Sequence, residues 1–182
     1  MKKGFYAKLA VTGMRRNKRL YLPYLLTCVG MVMMFYIVAY LAASPILAAM
    51  KGGDSVQSML GMGTIVILVF SVLFLFYTNS FLMRRRKREF GLYNILGMDK
   101  RNLARILAWE SFFVALISLA AGLALGIGLS KLSELLLVNL LGEKATLAFT
   151  VSGAALWQSV LFYAGVFLLI FLNALRQVCL SK

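Results

Sequence analysis

The chain has 182 residues, of which 62% are hydrophobic, and its 20 Lys+Arg against 6 Asp+Glu give a formal charge of +14. A chain this short cannot hide so much apolar surface in a soluble core, so the composition excludes a water-soluble domain and places the chain in a membrane. It contains no histidine and two cysteines, Cys28 and Cys179, which excludes the usual zinc sites, histidine-dependent triads and a disulfide framework.

Residues 1–19 carry seven of the basic residues and no acid. Phe5 and Leu9, with Met14, recur at helical spacing, which fits an amphipathic helix at the membrane surface; a basic flank that merely orients the first span fits equally well. Residues 20–43 form the first apolar run, with Pro23 in its first turn, where a missing N–H is tolerated. At about 1.5 Å per residue the run is long enough to cross a ~30 Å hydrocarbon core with some tilt. It is too long, and its basic flank too extended, for a cleaved leader. Ser44-Pro45 ends it, and Gly52-Gly53-Asp54 is a turn signal.

Residues 59–83 are the second span. Residues 106–129 are the third, with Gly122-x-x-x-Gly126 as a candidate close-packing face between helices. Residues 130–152 form an outer connection in which Leu132, Leu135, Leu136 and Leu140 extend the third helix before Gly142 stops it. Ser152 is the expected N-cap of the fourth span, residues 153–175, and residues 176–182 are a tail. The fold class expected is therefore an all-α integral membrane protein of four transmembrane helices.

Four spans put both termini and residues 84–105 on one side, and that side holds 17 of the 20 basic residues. Lys51, Lys131 and Lys144 on the other side are matched by Asp54, Glu134 and Glu143. This bias places both termini in the cytoplasm and turns most of the +14 into topology, leaving little reason to invoke nucleic acid.

The segment between spans two and three is the informative one. Its basic run, Arg84, Arg85, Arg86, Lys87 and Arg88, suits lipid headgroups and topology. Beyond it Phe90, Tyr93 and Leu96 recur every three residues with Leu92 beside them, so the helix continues past the membrane with an apolar face. Gly97 suits a helix C-terminus, and Asp99 suits the N-cap of a helix leading into span three. The result is a cytoplasmic helical elbow. An ordinary hairpin at the headgroups explains the arginines but leaves Phe90, Leu92, Tyr93 and Leu96 wet, and such a face favours docking of a partner. Glu110 is an acid at the inner end of span three; pairing with Arg105 or Lys100 is the simpler reading, and a functional intramembrane acid is the alternative.

Tyr77-Thr78-Asn79-Ser80-Phe81, the string Glu89-Phe90-Gly91-Leu92-Tyr93 with Leu96-Gly97-Met98, Asp99, Lys100 and Glu110 resemble the FtsX-like permease family of ABC transporters. Residues 58–175 look like one membrane module of that family. The short gap between spans one and two, and Asn173-Ala174-Leu175-Arg176-Gln177, are similar to its ten-span permeases of the bacitracin-resistance type. Those are several times longer, so the chain resembles their N-terminal four-span part.

The resemblance implies a permease that is not itself an enzyme and holds no cofactor, ATP being bound by a separate ATPase subunit, a dimer. Glu89, Phe90, Leu92, Tyr93, Leu96, Gly97 and Met98 would dock that subunit. It further implies the remaining permease segments and a sensor histidine kinase as partners, and resistance to or export of antimicrobial peptides; the basic flanks themselves add anionic lipids as a partner. The chain itself has no GxxxxGK[ST] phosphate loop. A four-span scaffold or sensor partner recognising another membrane protein through Gly122 and Gly126 is the competing reading; a small solute pathway is a weaker one.

Overall fold

The computed structural model describes the backbone of residues 5–49, 52–95, 100–140 and 152–180. Among the described residues there are six helices: α1 (Phe5–Arg16), α2 (Lys18–Ala42), α3 (Pro45–Ala48), α4 (Gly53–Ile95), α5 (Lys100–Leu140) and α6 (Gly153–Leu180). Apolar runs take this form because lipid offers no partner for a backbone N–H or C=O, and a helix pairs all of its own. Segments of α2, α4, α5 and α6 are long and apolar enough to cross a membrane, so this is a multi-pass membrane protein.

The breaks between helices follow local chemistry. Asn17 separates α1 from α2 without opening the hydrogen-bond ladder, since its N–H reaches the Gly13 carbonyl at 3.0 Å and its own carbonyl receives the Leu20 N–H at 2.9 Å. Pro23 lies well inside α2, which begins at Lys18 and so extends the first span toward the N-terminus. Ser44 is extended (φ −71°, ψ 122°), the conformation imposed by the following Pro45, which starts α3. Gly52 has φ +82°, a left-handed conformation that a residue with a Cβ adopts at a cost, and it turns the chain into α4. Ser152 caps α6 as expected: its Oγ accepts the Ala155 N–H at 3.3 Å, and its carbonyl accepts that of Leu156 at 3.1 Å.

Helix α4 is 43 residues long, about 64 Å, so the second span starts six residues earlier than its hydropathy suggests and the helix runs well past the membrane. Helix α5 begins at Lys100 and continues through the Leu132–Leu140 stretch without a break. Leu96, Gly97, Met98 and Asp99, the middle of the elbow expected from the sequence, lie outside the described residues.

The helices build two compact units. The first is assembled from Met1–Cys28, Leu73–Ser118 and Ala164–Lys182. Its core includes Tyr24, Leu75, Ile106, Val114 and Ile170, with Met83, Leu103, Leu107 and Ala174 forming a tight cluster. Helix α1 belongs to it. Tyr6, Ala10 and Gly13 share one face; the Tyr6 hydroxyl donates to Asn102 Oδ1 at 2.8 Å, Ala10 is fully buried, and Gly13 passes close to Glu110. The face that meets α5 is thus one position on from the Phe5–Leu9 face picked out by the sequence.

The second unit is assembled from Val29–Val72 and Leu119–Tyr163. Phe35 stacks on Phe162 at 5.3 Å and meets Tyr163 edge-on at 5.7 Å. Tyr163 donates to the Met31 carbonyl at 2.7 Å and shares a 2.9 Å hydrogen bond with Ser71, so α2, α4 and α6 meet at one hydroxyl.

Candidate functional site

Helical phase decides which residue of the basic run turns inward. Leu75, Asn79, Leu82 and Arg86 recur at the spacing of one α4 stripe, and all four are buried. Arg84 and Arg85 point outward, with Arg85 over the Phe81 ring at 5.2 Å. On α5 the matching stripe is Leu103, Leu107, Glu110, Val114 and Ser118, also buried. Arg86 and Glu110 are each at most 3% exposed, and the two stripes bring them together.

The contact is a fork on a fork. Arg86 Nη1 donates to Glu110 Oε2, and Nη2 donates to Oε1 at 3.0 Å. Tyr21 of α2 completes the group: its hydroxyl donates to Glu110 Oε2 at 3.1 Å and accepts from Arg86 Nη1 at 2.6 Å, while the guanidinium lies 5.6 Å from its ring centre. Three helices are tied at one ion pair, and α1 approaches it too, since a Cβ on Gly13 would stand 3.3 Å from Glu110 Oε1. Bidentate, charge-assisted hydrogen bonds are roughly twice as strong as neutral ones and fix orientation as well as distance. Beside the pair is a small cavity of about 20 Å³ bordered by Tyr21, Asn79, Glu110 and Ser111. Asn79 Nδ2 has no hydrogen-bond partner among the described residues, and a space of this size holds about one water.

Arg86 is therefore a correction to the reading of residues 84–88 as headgroup contacts: it is buried and neutralised within the protein, because the α4 stripe that carries it faces inward. Glu110 pairs with Arg86, a residue the sequence did not single out for it, and the side chain of Lys100 lies outside the described residues. Arg105 lies five positions before Glu110, a different face of the same helix, and stands over the Tyr6 ring at 5.8 Å. Of the candidate docking residues, Glu89, Phe90, Leu92 and Tyr93 fall within α4, which runs unbroken to Ile95, but their side chains, with those of Lys87 and Arg88, lie outside the described residues. Leu96, Gly97 and Met98 lie outside them altogether.

Gly122 and Gly126 are in the second unit, both against α2. A Cβ on Gly122 would stand 2.6 Å from Val32 Cβ, and one on Gly126 would stand 3.0 Å from the Tyr36 ring. Further along α5 is a second buried charge cluster, which hydropathy and charge counting do not reveal. Glu134 accepts from Lys131 Nζ, from the Tyr40 hydroxyl at 3.0 Å and from Ser44 Oγ. Lys131 and Glu134 are one helical turn apart, a spacing visible in the sequence, but their burial comes from the Tyr40 and Ser44 side chains of a distant segment.

The FtsX-like permease C-terminal family matches residues 61–179. The bacitracin export permease protein BceB of Bacillus subtilis (strain 168) is 28% identical over 163 residues, 90% of this chain and 25% of that protein. The ABC transporter permease YvcS of the same organism is 31% identical over 164 residues, 89% of this chain and 25% of its own length. BceB of Halalkalibacterium halodurans is 28% identical over 166 residues, with 90% and 25% covered. The chain thus spans about a quarter of the length of these relatives. With the family match covering most of its four apolar helices, the chain belongs to the FtsX-like permease family.

Proposed function

We propose that this chain is a transmembrane part of an ABC transporter permease, and that the segment joining α4 to α5 receives motion from a separate ATPase subunit. The observation that carries the reading is the Arg86–Glu110–Tyr21 group. It locks α4 to α5 in the turns that lead to that segment, so a push on the segment moves both helices together rather than bending either one. The docking contacts are the apolar residues Phe90, Leu92, Tyr93, Leu96 and Met98, with Glu89 as a polar rim. ATP is held by the partner, and this chain contributes no cofactor site.

The orientation follows from charge. The basic residues of 1–19, 84–105 and the tail put both termini and the docking segment in the cytoplasm. The relatives named for bacitracin export support a role in resistance to peptide antibiotics, in which the helices carry motion to an event at the outer surface. Leu96→Asp or Tyr93→Asp is expected to abolish co-purification of the ATPase subunit while membrane insertion persists. Undiminished co-purification in both variants overturns the docking assignment.

A further inference from the structure

An open groove of about 380 Å³ lies along α5 in the first unit, lined by Arg105, Ala108, Trp109 and Phe112. These residues sit at i, i+3, i+4 and i+7, so they share one helical face over about 10 Å. Ala108 is a low floor between two aromatic walls, and Trp109 and Phe112 are held edge to face at 6.0 Å. Both rings are exposed, Phe112 by 55%, and they do not close the groove over themselves. Arg105 stands at its polar end, three residues inside the first residue of the apolar stretch Asn102–Leu140. Its guanidinium lies over the Tyr6 ring, and Tyr6 is itself fixed by its hydrogen bond to Asn102.

We propose that this groove is a binding site for one anionic glycerophospholipid of the adjacent leaflet. The order of chemistry along the face is the order along a lipid. A guanidinium presents a planar fork suited to a phosphate, and here it lies over an aromatic ring, with no ion pair to an acid among the described residues. One turn on, the Trp109 indole offers an apolar body and an N–H at the level of the glycerol esters, the depth at which tryptophan accumulates in membrane proteins. Ala108 and Phe112 then give the first methylenes of an acyl chain a smooth apolar track. A free phosphate would find only the arginine and gain nothing from the aromatic walls. Among the described residues, the acid nearest to Arg105 in sequence, Glu110, is held by Arg86 and Tyr21. Arg105 is thus the cation of the headgroup layer whose charge the lipid answers.

Trp109 is the reporter for the test. The chain contains two tryptophans, so Trp157→Phe leaves Trp109 alone. This variant is reconstituted into dioleoylphosphatidylcholine vesicles in which phosphatidylglycerol with dibrominated acyl chains is titrated against equally brominated phosphatidylcholine. Bromine quenches only a tryptophan it touches. Phosphatidylglycerol is expected to quench Trp109 about fivefold more effectively at low mole fraction than phosphatidylcholine, the factor one headgroup-level charge supplies. Adding Arg105→Gln, at an exposed site, should remove the preference while leaving the helicity unchanged. Ala108→Leu, which fills the floor, should remove it too, with helicity checked by circular dichroism. Quenching that follows bulk mole fraction in the parent overturns the proposal, as does a preference that survives Arg105→Gln. A preference that survives Ala108→Leu also overturns it, because the arginine would then be a headgroup contact with no seat for the chain.

Discussion

Removing one member of the Arg86–Glu110 pair should cost far more than removing both. Each residue is almost completely buried, and each makes two hydrogen bonds to the other's fork. Arg86→Met takes both guanidinium hydrogen bonds from a buried carboxylate, and Glu110→Leu takes both carboxylate contacts from a buried guanidinium. Breaking a buried pair on one side costs about 3–5 kcal/mol, because an uncompensated charge stays behind. Replacing both with apolar residues of similar volume is often neutral, since the two desolvation penalties vanish with the attraction. The singles therefore sum to about 6–10 kcal/mol and the double variant should fall within about 2 kcal/mol of the parent, a coupling of at least ~4 kcal/mol. Titrating the purified chain from mild detergent into SDS, with helicity as the signal, measures this. Singles below about 1 kcal/mol, the range of an exposed pair, or an additive double variant would refute the burial argument.

The remaining predictions test packing and the second charge cluster. Tyr21→Phe removes a hydroxyl that donates to a carboxylate and should cost about 1.5–3 kcal/mol in the same titration. Gly122→Ala forces a methyl against Val32 and should destabilise by about 1–3 kcal/mol, whereas Gly128→Ala, with open space around its Cβ, should stabilise by about 0.5–1 kcal/mol. Equal effects at the two glycines would mean that α5 and α2 do not pack as described. Glu134→Leu removes the acceptor shared by Lys131, Tyr40 and Ser44 and should lower stability by about 2–4 kcal/mol, with much of the loss recovered in Lys131→Met/Glu134→Leu.

The spans were legible because a run of twenty apolar residues has one physical outcome in lipid. The helix ends were less so. Lys18, at the start of α2, and the Gly53–Ser58 turns of α4 are too polar for hydropathy to include, yet the backbone continues into them because nothing stops a helix there. The site itself was hidden by phase. Counting charge treats Arg84 to Arg88 as one block, whereas each residue is rotated ~100° from the last, so the run cannot all face one environment. The stripe of Leu75, Asn79 and Leu82 singles out Arg86, and that periodicity is present in the sequence. Its partner is not: Glu110 is 24 residues away on the next helix, a long-range contact to which local spacing says nothing. The same holds for Glu134, whose neighbours Tyr40 and Ser44 lie some 90 residues earlier.

The two roles of the pair, holding the fold and carrying motion, can be separated. A bidentate contact tolerates little sliding, since a displacement of about 1 Å breaks at least one of its hydrogen bonds. Under the coupling proposal, α4 and α5 then move as one body when the segment between them is pushed. In Arg86→Met/Glu110→Leu that constraint is replaced by apolar packing, which is non-directional and permits sliding. On that proposal the double variant, which keeps Phe90, Tyr93 and Leu96, should fold, insert and retain the ATPase subunit, yet lose most of the peptide resistance that the proposal assigns to the transporter. Tyr93→Asp should lose both binding and phenotype. A double variant with normal binding and normal phenotype would reduce the pair to a folding device and overturn the coupling role proposed for it.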